Sequence, residues 1–128
     1  MKRYSFPSSM RLKQRKLIQL LFSKGQWHQL GLLRFYYLPF MGHNRDQVLI
    51  VVPKKGIKKA VKRNQVKRRM REAYRVLRND LKERADASYL LGYIYTKRCN
   101  QKEEVPTYKK IYEAVRDSFR YLLPPLSY

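Results

Sequence analysis

The sequence predicts an α+β or α/β sandwich, a small mixed sheet with helices packed against it, in the order helix, strand, strand, helix, strand, helix. Three observations carry this reading. Apolar residues recur at helical spacing across 57–83. Two neighbouring segments, 32–40 and 47–52, are rich in aromatic and β-branched residues, as strands are. The chain has 128 residues with 44% apolar content, enough for one modest core, so a single domain over 1–128 is expected.

A first helix is expected over 10–24, capped by Ser8 or Ser9 and ended by Gly25. Leu17, Leu20 and Leu21 give it an apolar face, and Ile18 and Phe22, four apart, share one side. The alternation over 32–40 predicts a strand, and Gly42 to Asp46 is turn chemistry. The continuous run over 47–52 predicts a central strand covered on both faces and joined to the first by a hairpin. After Pro53 and Gly56 a long helix is expected over 57–83. Ile57, Val61, Val66, Met70, Ala73, Tyr74, Leu77 and Leu81 form its core stripe. A third strand is expected over 89–96. Thr107 caps a last helix carrying Tyr108, Ile111, Tyr112, Val115, Phe119 and Leu122 at helical period, stopped by Pro124-Pro125.

Charge narrows the function. Thirty Lys and Arg face nine Asp and Glu, a net charge of +21, and self-repulsion of that size calls for a polyanionic partner. No apolar run approaches the length of a membrane span, and basic residues interrupt the segment after Lys2-Arg3 where a signal peptide would need an apolar stretch, so a cytoplasmic protein is expected. The single Cys99 fits a reducing compartment and reads as a small half-buried residue at a strand end. From Lys54 to Arg71 there are ten basic residues and no acidic one. Lys59, Arg63, Lys67 and Arg71 recur every four residues and make one basic row beside the apolar stripe. A merely solvated face would alternate signs, whereas each step here is like-charged and mildly destabilising, so the row reads as a phosphate-binding surface. Arginines at 63, 68, 69, 71, 75 and 78 favour shaped recognition over diffuse charge. From the residues alone, Asn64 is as compatible with an ordinary helix position as with a contact, and Phe22 and Tyr36 read as core. Trp27, His28 and His43 read as surface or edge residues near turns.

The stretch Lys54-Lys55, Ala60-Val61-Lys62-Arg63-Asn64, Lys67-Arg68 and Arg71-Glu72-Ala73-Tyr74-Arg75 resembles the signature of the bacterial ribonuclease P protein subunit. Arg11-Leu12, Phe22 before Gly25, and Tyr36 agree in order and spacing, so the resemblance covers about residues 6–78. It implies a cofactor to a catalytic RNA that removes the 5′ leader from precursor tRNA. That hydrolysis would use Mg2+ bound mainly by the RNA. The implied partners are ribonuclease P RNA and precursor tRNA, with no obligate protein partner and no membrane. It also implies a left-handed strand-helix-strand crossover, against the usual right-handed rule. Residue by residue, Lys54, Lys55, Lys59, Arg63, Asn64, Lys67, Arg68 and Arg71 would contact RNA. Ile18, Phe22 and Tyr36 would line a groove for the single-stranded leader. Three departures stand out. Gln65 replaces an expected basic residue, the turn after Gly56 is one residue longer, and Ile18 stands where an aromatic is common.

No paired carboxylates, phosphate-cradling glycine loop or metal-ligand cluster is evident, so no catalytic residue is assigned to the protein. The competing reading is a ribosomal or other structural RNA-binding protein, which explains size and charge equally but predicts no preference for precursor over mature tRNA. A cationic membrane-surface protein would need the long helix's apolar stripe to be unoccupied by a sheet.

Overall fold

The computed structural model describes residues 11–39, 46–80, 89–97 and 105–122. Three helices, α1 (Arg15–Lys24), α2 (Ala60–Asp80) and α3 (Tyr108–Leu122), pack on four strands, β1 (Gln26–Leu30), β2 (Leu33–Pro39), β3 (Gln47–Val51) and β4 (Tyr89–Tyr95). The sheet is mixed, in the order β1-β2-β4-β3. β2 is antiparallel to both β1 and β4, and β3 runs parallel to β4, with α2 as the crossover between them. The expected fold class stands, with one strand more than the sequence suggests.

That strand is β1. Its sequence, Gln26-Trp27-His28-Gln29-Leu30, has little apolar periodicity because it is an edge strand with most side chains exposed. It pairs with β2 through a two-residue turn at Gly31-Leu32, where Gly31 adopts a φ of 60°, a conformation that a side chain would resist. The expected hairpin between 32–40 and 47–52 is therefore incorrect. β2 forms its hairpin with β1, and β4 lies between β2 and β3. The expectation that 47–52 is the central strand also fails. The strand buried along nearly its whole length between two neighbours is β4, and β3 lies outside it.

The first helix begins at Arg15 rather than at 10. Arg11 forms an isolated parallel bridge with Val48, and the Leu12 N–H donates to the Val48 carbonyl at 2.9 Å, so the chain before α1 runs extended along the outer edge of β3. Gln14 occupies the cap position without a side-chain bond, and the Ser8 or Ser9 cap lies outside the described residues. Gly25 ends α1 as expected, its N–H donating to the Leu21 carbonyl at 2.9 Å. A Cβ at Gly25 would strike that same carbonyl and stand 2.9 Å from the Tyr37 oxygen, so close approach rather than a left-handed turn requires glycine.

The two faces of the sheet bury different amounts. One carries Leu33, Phe35, Val48, Leu91, Tyr93 and Tyr95, packed against Val66, Met70, Ala73, Tyr74 and Leu77 of α2 and Ile111, Val115, Phe119 and Leu122 of α3. The α2 and α3 stripes are thus as the sequence predicts, with three corrections, the first being that Tyr108 of α3 is exposed. Val61 is 79% exposed, and Ile57 is buried but precedes the helix, which starts three residues later than expected. Leu81 lies outside the described residues. α3 is capped as expected, with the Lys110 N–H donating to Thr107 Oγ1 at 3.3 Å. Among the described residues, the other face buries Leu12, Leu21 and Leu90 with α1, ringed by Ile18, Tyr36 and Leu49 among others. α1 can approach this closely because a Cβ at Gly92 would stand 3.2 Å from the Leu21 side chain.

Candidate nucleic-acid interface

The basic segment folds as a turn at Lys54 to Gly56, an irregular link through Lys59, and then α2. No acidic residue stands in the first turn of α2, and Lys62 and Arg63 sit there instead. Positive side chains at the positive end of a helix dipole are unfavourable by themselves and are relieved by an anion. Lys54, Lys55, Lys59, Asn64 and Arg68 are exposed, and Arg63, Lys67 and Arg71 are half-buried. The structure thus keeps Arg63, Lys67 and Arg71 on one flank of α2. Lys59 stands at the cap position one turn before Arg63, its carbonyl accepting the Arg63 N–H at 3.0 Å.

Four of the six arginines that suggested shaped recognition already hold protein groups. Arg63 Nη1 donates to the Ile57 and Lys58 carbonyls at 3.0 and 2.6 Å, stapling the link to the helix. Arg69 Nη1 donates to the Pro106 carbonyl at 2.6 Å, tying α2 to the start of α3. Arg75 makes a two-pronged bond to Glu72, and Arg78 donates to the buried Asp46 at 2.8 Å. Arg68 and Arg71 bond to no acceptor among the described residues. Burial, and secondarily the Arg11 guanidinium, hold Arg71 below the usual arginine range. It stays charged at neutral pH, so Arg11 and Arg71 form a like-charged pair that an anion would stabilise. Gln65, the departure from the family pattern, faces a cleft between α2 and α3 with Lys62, Arg69, Val105, Thr107 and Tyr108.

The residues read as groove-lining meet on the opposite face. Phe22 stands edge-on to Tyr36 at 4.7 Å between ring centroids, and Ile18 and Tyr36 pack around the same small cluster under α1. Phe22 is 38% exposed, so its ring is not core. Sequence reasoning missed two further residues here. Trp27 is the cross-strand partner of Tyr36, with ring centroids 6.3 Å apart, and Arg34 lies with its guanidinium carbon 4.4 Å from the Trp27 centroid. Alternation in 26–30 was the available signal, but it is visible only once β1 is known to pair with β2. The two surfaces, basic on α2 and aromatic beside α1, lie on opposite faces of one sheet.

Among the described residues, no three or more His, Cys, Asp or Glu side chains cluster as metal ligands, and no helix is long and apolar enough to cross a membrane. Asp46, expected in a surface turn, is 3% exposed and accepts from Tyr74 Oη at 2.8 Å, Arg78 Nε at 2.8 Å and the Tyr89 N–H at 3.0 Å. It joins the start of β3 to α2 and the start of β4, which is a structural rather than a catalytic use of a carboxylate.

The family model of ribonuclease P matches residues 6–121. No curated protein matches the chain in sequence. Among solved structures, the RNase P protein of Staphylococcus aureus is similar over 90% of this chain and 98% of its own, with 18% identity and a TM-score of 0.66. The RNase P protein of Thermotoga maritima covers 92% of this chain and 98% of its own, with 24% identity and a TM-score of 0.62. A structure of the same T. maritima protein in complex with a substituted thiourea aligns at 25% identity and a TM-score of 0.59, over 91% of this chain and all (100%) of that one. The chain belongs to the ribonuclease P family, as the protein subunit of that endoribonuclease, and as such associates with ribonuclease P RNA.

Proposed function

We propose that the chain acts by holding two RNAs at once. The catalytic RNA lies along the basic side of α2, contacted by Lys54, Lys55, Lys59, Asn64, Lys67, Arg68 and Arg71. The single-stranded 5′ leader of precursor tRNA lies in the groove of Ile18, Phe22 and Tyr36. The observation that carries this reading is the placement of two differently built RNA-suited surfaces on opposite faces of one small sheet. A phosphate row suits a folded RNA, and half-exposed rings suit splayed bases. Arg63 supports the first surface mainly by fixing the link before α2, since one of its terminal nitrogens is already bonded to two carbonyls.

Hydrolysis itself belongs to the RNA in this proposal. Mg2+ would be held mainly by the RNA, where it would activate the attacking water. The protein lowers repulsion between two polyanions and adds affinity for the leader, with no obligate protein partner and a cytoplasmic site of action. Reconstitution with a bacterial ribonuclease P RNA at low magnesium tests this. Leader cleavage should rise well above RNA alone, and affinity should be higher for precursor than for mature tRNA. Equal affinity for the two would remove the leader groove from the reading.

A further inference from the structure

The run of aromatic rings does not end at Tyr36. Trp27 continues it onto the edge strand β1 with 51% of its surface exposed, and Arg34 lies over its ring. Arg34 enters none of the ion pairs among the described residues, and its buried Nε has no hydrogen-bond acceptor there. A pair serving only to cover the sheet edge would bury the indole and give the guanidinium a carboxylate or carbonyl. Here the ring stays open to water, and the guanidinium stacked on it is bound to no carboxylate among the described residues and leaves its buried Nε without an acceptor. Phe22, Tyr36, Trp27 and Arg34 thus make a strip of three rings that ends in a positive charge.

We propose that Trp27 and Arg34 form a nucleotide subsite for single-stranded RNA, with a base stacked on the exposed indole and its phosphate on the Arg34 guanidinium. The subsite extends the groove of Ile18, Phe22 and Tyr36 by one nucleotide, and it rests on the reading of that groove as a leader site. Aromatic faces accept any base, so the subsite lengthens the footprint without imposing a base preference. Arg suits the role because its planar fork can stack on the ring and still donate in its own plane.

Trp27 is the only tryptophan of the chain, so its fluorescence reports on the subsite directly. The full chain is titrated with single-stranded oligouridylate and oligoadenylate of about eight nucleotides. Both should quench the fluorescence saturably, while polyglutamate of equal charge should not. Trp27→Ala should weaken binding of labelled RNA about tenfold, with Trp27→Phe retaining most of it. Arg34→Ala should weaken binding and lower the log–log salt slope by about 0.7. Circular dichroism should show all three variants folded. Absent quenching, together with unchanged affinity of Trp27→Ala, would overturn the subsite, and if Phe22→Ala still weakened binding the groove itself would stand. If Phe22→Ala and Tyr36→Ala also left affinity unchanged, the groove reading would fall with it. Equal quenching by polyglutamate would reduce the site to unspecific charge and overturn it too.

Discussion

The two faces of the sheet are built for different ends. Under α2 and α3 most rings and branched chains are sealed, and the buried hydroxyls of Tyr74 and Tyr93 bond to Asp46 and Ser118. Under α1, a helix of ten residues cannot cover four strands, so three buried leucines hold it down and aromatic rings are left at the margin. The first face bonds most of its polar groups internally and stabilises the fold. The second leaves rings and a guanidinium open, which contributes less to stability and suits binding. A large net positive charge makes the expected ligand of such an open face a polyanion.

The largest expected effect breaks the first face. Asp46→Ala removes a buried carboxylate that accepts three bonds, leaving Arg78 and the Tyr74 hydroxyl without it. Stability should fall by about 3–5 kcal/mol in chemical denaturation, and Asp46→Asn should lose less. Phe22→Ala tests the other face. Its half-exposed ring should cost under about 1 kcal/mol of stability but about 1–3 kcal/mol of affinity for single-stranded leader, and a large stability loss without an affinity loss would reverse the contrast.

Lys67→Ala combined with Arg68→Ala should lower the log–log salt slope of binding to ribonuclease P RNA by about 1.4–1.8, with little change in stability. Arg63→Ala is a poorer probe of the slope, because it also frees the Ile57 and Lys58 carbonyls. A pH experiment sharpens the sealed face further. Burial pushes the Tyr74 and Tyr93 hydroxyls above the usual tyrosine range, helped for Tyr74 by the Asp46 charge, while the Ser118 bond partly offsets burial for Tyr93. Unfolded tyrosines ionise near pH 10, so above about that pH the unfolded chain binds fewer protons than the folded one and stability falls. The denaturation midpoint should drop beyond about pH 10, at up to about 1.4 kcal/mol per pH unit for each such tyrosine, and Tyr93→Phe should flatten the fall.

Much of this was legible in the chain. The stripe of Val66, Met70, Ala73, Tyr74 and Leu77, the cap at Thr107 and the stop at Gly25 are local patterns, set by residues within a few turns of one another. The basic run from Lys54 to Arg71 and the match to the ribonuclease P family are likewise properties of sequence alone. The start of α1 is not legible locally, because apolar residues continue across the break and Leu12 reaches the core from an extended segment bonded to Val48.

What only the tertiary structure decided depends on partners far apart in sequence. Strand order is one such case: an edge strand such as β1 has weak periodicity of its own and is stabilised by its ladder to β2, so no local signal marks it. Arginine roles are another, since a long side chain can reach a carbonyl or carboxylate 37 or 32 residues away, as Arg69 and Arg78 do. The sequence by itself determined that α2 would present a dense basic run suited to binding a polyanion. The packing decided which of its arginines remain available to do so, and that Trp27, Arg34 and Tyr36 would share one open face.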